Sequence, residues 1–208
     1  MSGIFNLESP VVRAVTRVGD LAVLSILWFL GCVPIVTIGT SNTAMYAAIH
    51  KVFAQKEGIA AVEFLKNFKS NFRQATLSFL PLGLLELLLL AECFVTGFLQ
   101  EQGAAWGNLR PVFLVLSYLV GLWMVYVAAY AARFQDSAKT TICQSAILAL
   151  ANPLQSILLL FALSACGFVL PVFPPLILFL PGLYGWIAHR VMEKIFSAYL
   201  ILNLNKTV

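Results

Sequence analysis

Apolar residues along this chain collect into runs of about 20, without the strict alternation of half-buried strands or the one-sided stripe of helices that face water. Four runs are clear, at about 18–38, 76–98, 111–132 and 154–171. Each is nearly free of charge and long enough, at 1.5 Å per residue, to cross a hydrocarbon core of about 30 Å. A fifth, at about 174–190, is shorter and broken by Pro174, Pro175 and Pro181. It follows the fourth so closely that the two should form a tight helical hairpin turning at Pro171 to Pro175. The pattern predicts an all-α, polytopic transmembrane helical bundle of five to six spans, forming a single integral membrane domain over 1–208.

The sixth span depends on residues 36–53. This stretch is moderately apolar, free of charge until His50-Lys51, and rich in small residues: Thr37, Gly39, Thr40, Ser41, Thr43, Ala44, Ala47 and Ala48. Small residues let helix backbones approach closely inside a bundle. As a polar second span it returns the chain and puts Arg13 and Arg17 on the same side as the other basic flanks. As a re-entrant or interfacial segment it leaves the amino end outside. The remaining basic residues collect at Lys51 to Arg73, at Arg133 and Lys139, and at Arg190, Lys194 and Lys206. By the positive-inside rule these flanks, and the C-terminus with them, are expected to be cytoplasmic. No cleaved leader is expected, because the first seventeen residues are too polar and no A-x-A site follows the first apolar run.

Between residues 59 and 73 the period changes. Phe64, Phe68 and Phe72 recur every four residues, while Lys66, Lys69 and Arg73 fall in a narrow arc away from them. That predicts an amphipathic helix in the cytoplasmic interface, rings in the acyl boundary and basic groups toward phosphates. It serves as a topology anchor or as a docking surface for a partner. A weaker counterpart at 140–151 leads into Asn152-Pro153-Leu154-Gln155, as Asn71-Phe72-Arg73-Gln74 leads into the earlier span, which suggests a duplicated unit.

Composition excludes a soluble fold: 61% of the 208 residues are apolar and only 11% charged, against roughly half and a quarter in soluble domains. The net charge of +4 sits at span ends, with no basic surface of the kind that binds nucleic acid. Cys32, Cys93, Cys143 and Cys166 form no metal-ligand spacing, and no phosphate loop, dinucleotide fingerprint or zinc-protease motif occurs. Neither an enzyme nor a cofactor or metal is therefore expected. His50 and His189 each adjoin a basic residue and are expected at headgroup level.

Glu86 and Glu92 lie within the 76–98 run, about 120° apart around a helix. An ionisable group at membrane depth is a candidate functional site, so this pair is the candidate intramembrane polar site. It is either a proton or cation site, or a structural acid bonded to a side chain such as Tyr118, Tyr126 or Ser164. Asp20, at a span edge, can pair with Arg17 one turn back.

Gly3 to Pro10, Asp20-Leu21 before an apolar run through Trp28, Val33 to Tyr46, Phe64 to Ala75, and the Pro-rich hairpin with Arg190 to Glu193 after it together resemble the YesL family of bacterial membrane proteins. Val33-Pro34-Ile35-Val36-Thr37-Ile38-Gly39-Thr40-Ser41-Asn42-Thr43-Ala44-Met45-Tyr46 holds the most specific part. The resemblance implies a domain of unknown function, a place in the bacterial plasma membrane, and genes beside sugar-importing ABC transporters and polysaccharide-degrading enzymes. It implies no functional residue. Two expectations follow: an accessory or partner component of carbohydrate ABC uptake, touching the bilayer and transporter subunits, or a stand-alone small-solute carrier or channel. Glu57-Gly58-Ile59-Ala60-Ala61 only hints at the loop by which importer permeases grip their ATPase, so the chain is not expected to be the permease itself.

Overall fold

The computed structural model describes residues 10–204, which form seven α-helices and no strand among them. These are α1 (Pro10–Cys32), α2 (Ile38–Ile49), α3 (Ala60–Glu101), α4 (Arg110–Arg133), α5 (Ala138–Ala151), α6 (Pro153–Val172) and α7 (Leu180–Leu204). Single 3-10 turns precede α2, α4 and α7, and a π-turn at His50–Ala54 prolongs α2. The start of the family resemblance, Gly3 to Ser9, and Lys206 lie outside the described residues.

Three helical stretches are long and apolar enough to cross a membrane: Val15–Cys32, Ala60–Glu101 and Ala105–Arg133. A fourth is added if α5 and α6 count as one span, broken between them by a 99° bend. That break is local chemistry. Pro153 disfavours helical backbone at Asn152 and has no N–H to give α5, yet its fixed φ suits the first turn of α6. Asn152 Nδ2 donates to Leu148 O and Ser156 Oγ to Ala149 O, which satisfies two of α5's last carbonyls across the corner. The helices of the expected fifth and sixth passes have different character. α2 has only 12 residues, about 18 Å. α7 carries His189, Arg190, Glu193 and Lys194 in its middle, which interrupts its apolar run.

The segment 59–73 differs from expectation. It is not a separate interfacial helix but the first part of α3, an unbroken helix of 42 residues with Pro81 inside it. At 1.5 Å per residue that is about 63 Å, twice the hydrocarbon thickness. Its rings do not share one environment. Phe64 is 2% exposed and packs with Leu24, Ala44, Ala48 and Ile49 in the core, Phe68 is half-buried, and Phe72 is exposed. Lys66, Lys69 and Arg73 are all exposed, as the spacing required. Continuity of α3 also separates it from α5–α6, so the two proposed copies of one unit are built differently.

The small residues of 36–53 explain why α2 is the most enclosed element. Gly39 to Ile49 are all buried except Asn42. A Cβ at Gly39 would fall 2.3 Å from the Phe79 ring of α3, so only glycine permits this approach. Thr43 donates back to Gly39 O, Thr40 and Thr76 bond across α2 and α3, and Trp28 Nε1 donates to Asn42 Oδ1. By contrast Leu84, Leu87, Leu88, Leu90 and Phe94 of α3, with Leu154, Ile157 and Phe161 of α6, present their side chains outward. Exposed aliphatic faces of this extent suit a hydrocarbon environment.

Candidate functional site

Two features meet at Tyr46. The first is a cluster of polar side chains drawn from α2, its π-turn, α4 and α7. Arg133, the last residue of α4, places Nη1 2.7 Å from His50 Nε2. A guanidinium can only donate, so His50 Nε2 accepts and the ring proton sits on Nδ1. His50 Nδ1 lies 3.0 Å from His189 Nε2 and donates to it, which puts the proton of His189 on its own Nδ1. Gln55 Nε2, 3.3 Å from His50 Nε2, is a second donor consistent with this tautomer. Glu193 closes the group: its Oε1 accepts from Tyr46 Oη at 3.0 Å and lies 3.3 Å from Arg133 Nε and 3.4 Å from His50 Nδ1.

Local sequence explains the geometry. His189 and Glu193 are four apart and so share one face of α7. His50 opens the π-turn, a form that commonly marks functional positions in helices. His189 is buried, while His50, Arg133 and Glu193 keep about a quarter or less of their side-chain surface.

The second feature is a cavity of about 660 Å³ between α1, α2, α4, α6 and α7, within the range of small-molecule sites. Gly121 and Gly167 line it at positions where a Cβ would meet nothing within 4 Å. Its walls are mainly apolar, with Phe29, Met45, Met124, Val125, Leu163 and Leu180 among them. The polar groups on it are few: Trp28, Asn42, Tyr46, Tyr118 and Tyr184. The Tyr184 hydroxyl is buried and has no hydrogen-bond partner in the protein. Tyr46 belongs to both features, lining the cavity while its hydroxyl bonds Glu193.

The residues singled out from sequence fall elsewhere. Glu86 is half-buried and accepts from Ser117 Oγ of α4, the neighbour of Tyr118, while its Oε2 is buried without a partner. Glu92 is exposed on α3, so the two acids do not converge on one site, and neither lines the cavity. Tyr126 bonds Ser156 instead. The two histidines come together where α4 stops and α2 runs into its π-turn, and they point at each other and at Glu193. Sequence reasoning missed that convergence. Its one local signal was the His189/Glu193 spacing.

The chain is thus an all-helical protein with at least three helices of membrane-crossing character. A family model described as "Protein of unknown function, DUF624" matches residues 21–93, which include the end of α1, all of α2 and most of α3. YesL-type proteins contain that domain, in agreement with the resemblance on residues 33–46 and 64–75. No curated protein and no solved structure matches the chain.

Proposed function

We propose that this chain is an accessory or partner component of carbohydrate ABC uptake in the bacterial plasma membrane rather than the conduit for the sugar. The observation that carries this choice is the apolar lining of the cavity. An oligosaccharide carries many hydroxyls, and each one buried without a partner costs about 1–3 kcal/mol. Five polar side chains cannot meet that demand. The resemblance to YesL-type proteins supports the association with sugar import, and exposed Lys66, Lys69 and Arg73 offer a basic surface for docking. The alternative, a stand-alone carrier or channel, is favoured by the cavity itself, with a small amphipathic solute in place of a sugar.

Purification in mild detergent, with uptake of labelled oligosaccharide in a deletion strain, separates the readings. The accessory role predicts co-purification with an importer's permease or ATPase and a several-fold fall in uptake. Transport of solute by the chain alone in proteoliposomes would replace it with the carrier reading. Recovery of the chain alone with unchanged sugar uptake and no transport would remove both.

The proposed topology has six passes: α1, α2 with its π-turn, α3, α4, α6 and α7. Both ends are then cytoplasmic, the side to which the positive-inside rule assigns Arg133, Arg190, Lys194 and the basic arc of α3. A cysteine at Lys69 should resist an impermeant thiol reagent added to intact cells, and react once the membrane is opened. Labelling in intact cells would reverse the orientation.

A further inference from the structure

We propose that His50, His189 and Glu193 form a binding site for one divalent transition-metal cation of the zinc class, held in competition with Arg133. A tetrahedral ion with His nitrogen and carboxylate oxygen ligands at about 2.0–2.1 Å sets its ligand atoms about 3.3 Å apart. The three separations in the protein are 3.0 Å for His50 Nδ1 to His189 Nε2, 3.4 Å for His50 Nδ1 to Glu193 Oε1, and 3.9 Å for His189 Nε2 to Glu193 Oε1. These bracket the required edge. Each of the three residues offers one ligand atom, and these atoms lie within 4.8 Å of one another, close enough to share one ion. Two histidines and one carboxylate leave a fourth position open, the pattern of metal sites that bind an exchangeable ligand. Tyr46, whose hydroxyl bonds the ligand oxygen of Glu193, also lines the cavity.

The hydrogen bonds show what the ion would replace. A single proton now sits between His50 Nδ1 and His189 Nε2, directed there because Arg133 donates to the other nitrogen of His50. A metal on Nδ1 displaces that proton and returns a proton to Nε2, which then faces the Arg133 guanidinium donor to donor. Arg133 must release His50 for the metal to bind. Its positive charge, 3.3 Å from a ligand oxygen, opposes the cation as well. Arg133 therefore acts as a built-in competitor. A neutral side chain with a carbonyl oxygen at position 133 supplies the acceptor that a metal-bound histidine normally finds in its outer shell.

The inference is independent of any role in sugar uptake, and its test is direct binding. Co2+ is titrated into the full chain purified in detergent with chelator removed, and tetrahedral cobalt is read from its visible absorption. One equivalent should bind to the wild-type chain, Zn2+ should displace it, and Arg133→Gln should bind about 10- to 100-fold more tightly. Arg133→Met, which keeps most of the stem, serves as the second variant should Arg133→Gln not fold, and should also bind more tightly than wild type. His189→Gln and Glu193→Gln should each abolish the tetrahedral band. Absence of any band in wild type at millimolar Co2+ overturns the site. So does its persistence in both ligand variants, or weaker binding in a folded Arg133 variant than in wild type.

Discussion

Gly182→Ala should destabilise the protein by roughly 2–4 kcal/mol, although alanine is the better helix former. Gly182 lies near the start of α7, where that helix crosses α1. A Cβ there would sit 2.5 Å from the carbonyl oxygen of Leu21 and 2.7 Å from Ser25 Oγ. The first of these is backbone and cannot rotate away, so α1 and α7 must separate. Separation also pulls apart the bond from Gly182 N to Ser25 Oγ, now 2.8 Å, whose loss leaves a buried N–H unpaired. Overpacking of this kind costs about 1–3 kcal/mol alone. Gly83→Ala is the matched control, because nothing lies within 4 Å of a Cβ at that position on α3. There the substitution should be neutral or stabilise by up to about 1 kcal/mol through reduced backbone entropy of the unfolded chain. Thermal unfolding of both variants in the same detergent tests the contrast. Equal melting temperatures would show that the α1–α7 crossing is not the close contact described.

The helices legible in the sequence were those whose signal is local. α1, α4 and the second half of α3 announce themselves as apolar runs of about 20 residues with few charges, and Pro153 and the Pro174-Pro175 pair mark breaks at positions where φ restriction and a missing N–H act whatever surrounds them. The burial of α2 was legible too, because Gly39, Thr40, Ala44 and Ala48 leave room for neighbours instead of offering large apolar surface to lipid. The expected division of α3 is absent because a change of period at residues 59–73 shows which face is polar but not whether the helix ends. Phe64 went inward because Leu24 and Ile49 come to meet it, a tertiary fact with no trace in the four-residue spacing. The same limit hid the polar cluster. Residues 50, 133, 189 and 193 come from three separate helical segments, and in sequence the basic residue beside each histidine offers a local explanation that hides their convergence. The cavity left no signature beyond glycines at 121, 167 and 185, which are common in membrane helices for other reasons.

Glu193→Leu should destabilise the protein by roughly 1–3 kcal/mol, and adding Arg133→Leu should recover part of that loss. Removing one partner of a well-buried ion pair costs about 3–5 kcal/mol, chiefly because the other charge is left without compensation. Here the two side chains retain 27% and 24% of their surface, so water screens the charge left behind and the figure falls. Glu193 is the group on which the cluster converges. Its Oε1 accepts from Tyr46 and faces both Arg133 and His50, so its loss strands a phenol and a guanidinium together. Arg133 would then keep only the neutral His50 ring as an acceptor. Arg133→Leu alone reverses the imbalance and leaves a carboxylate supported by the Tyr46 phenol, since the His50 ring proton is directed at His189. Either single variant therefore carries an uncompensated charge, whereas the double variant carries none. The double-mutant cycle should give a coupling of about 1–2 kcal/mol. Tyr46→Phe, which removes one neutral donor and leaves the charges paired, should cost only about 1 kcal/mol. Chemical unfolding of the four proteins in one detergent gives the coupling directly. Additive losses would mean that Arg133 and Glu193 do not compensate each other, and that the contacts to His50 and Tyr46 hold this end of the bundle without them.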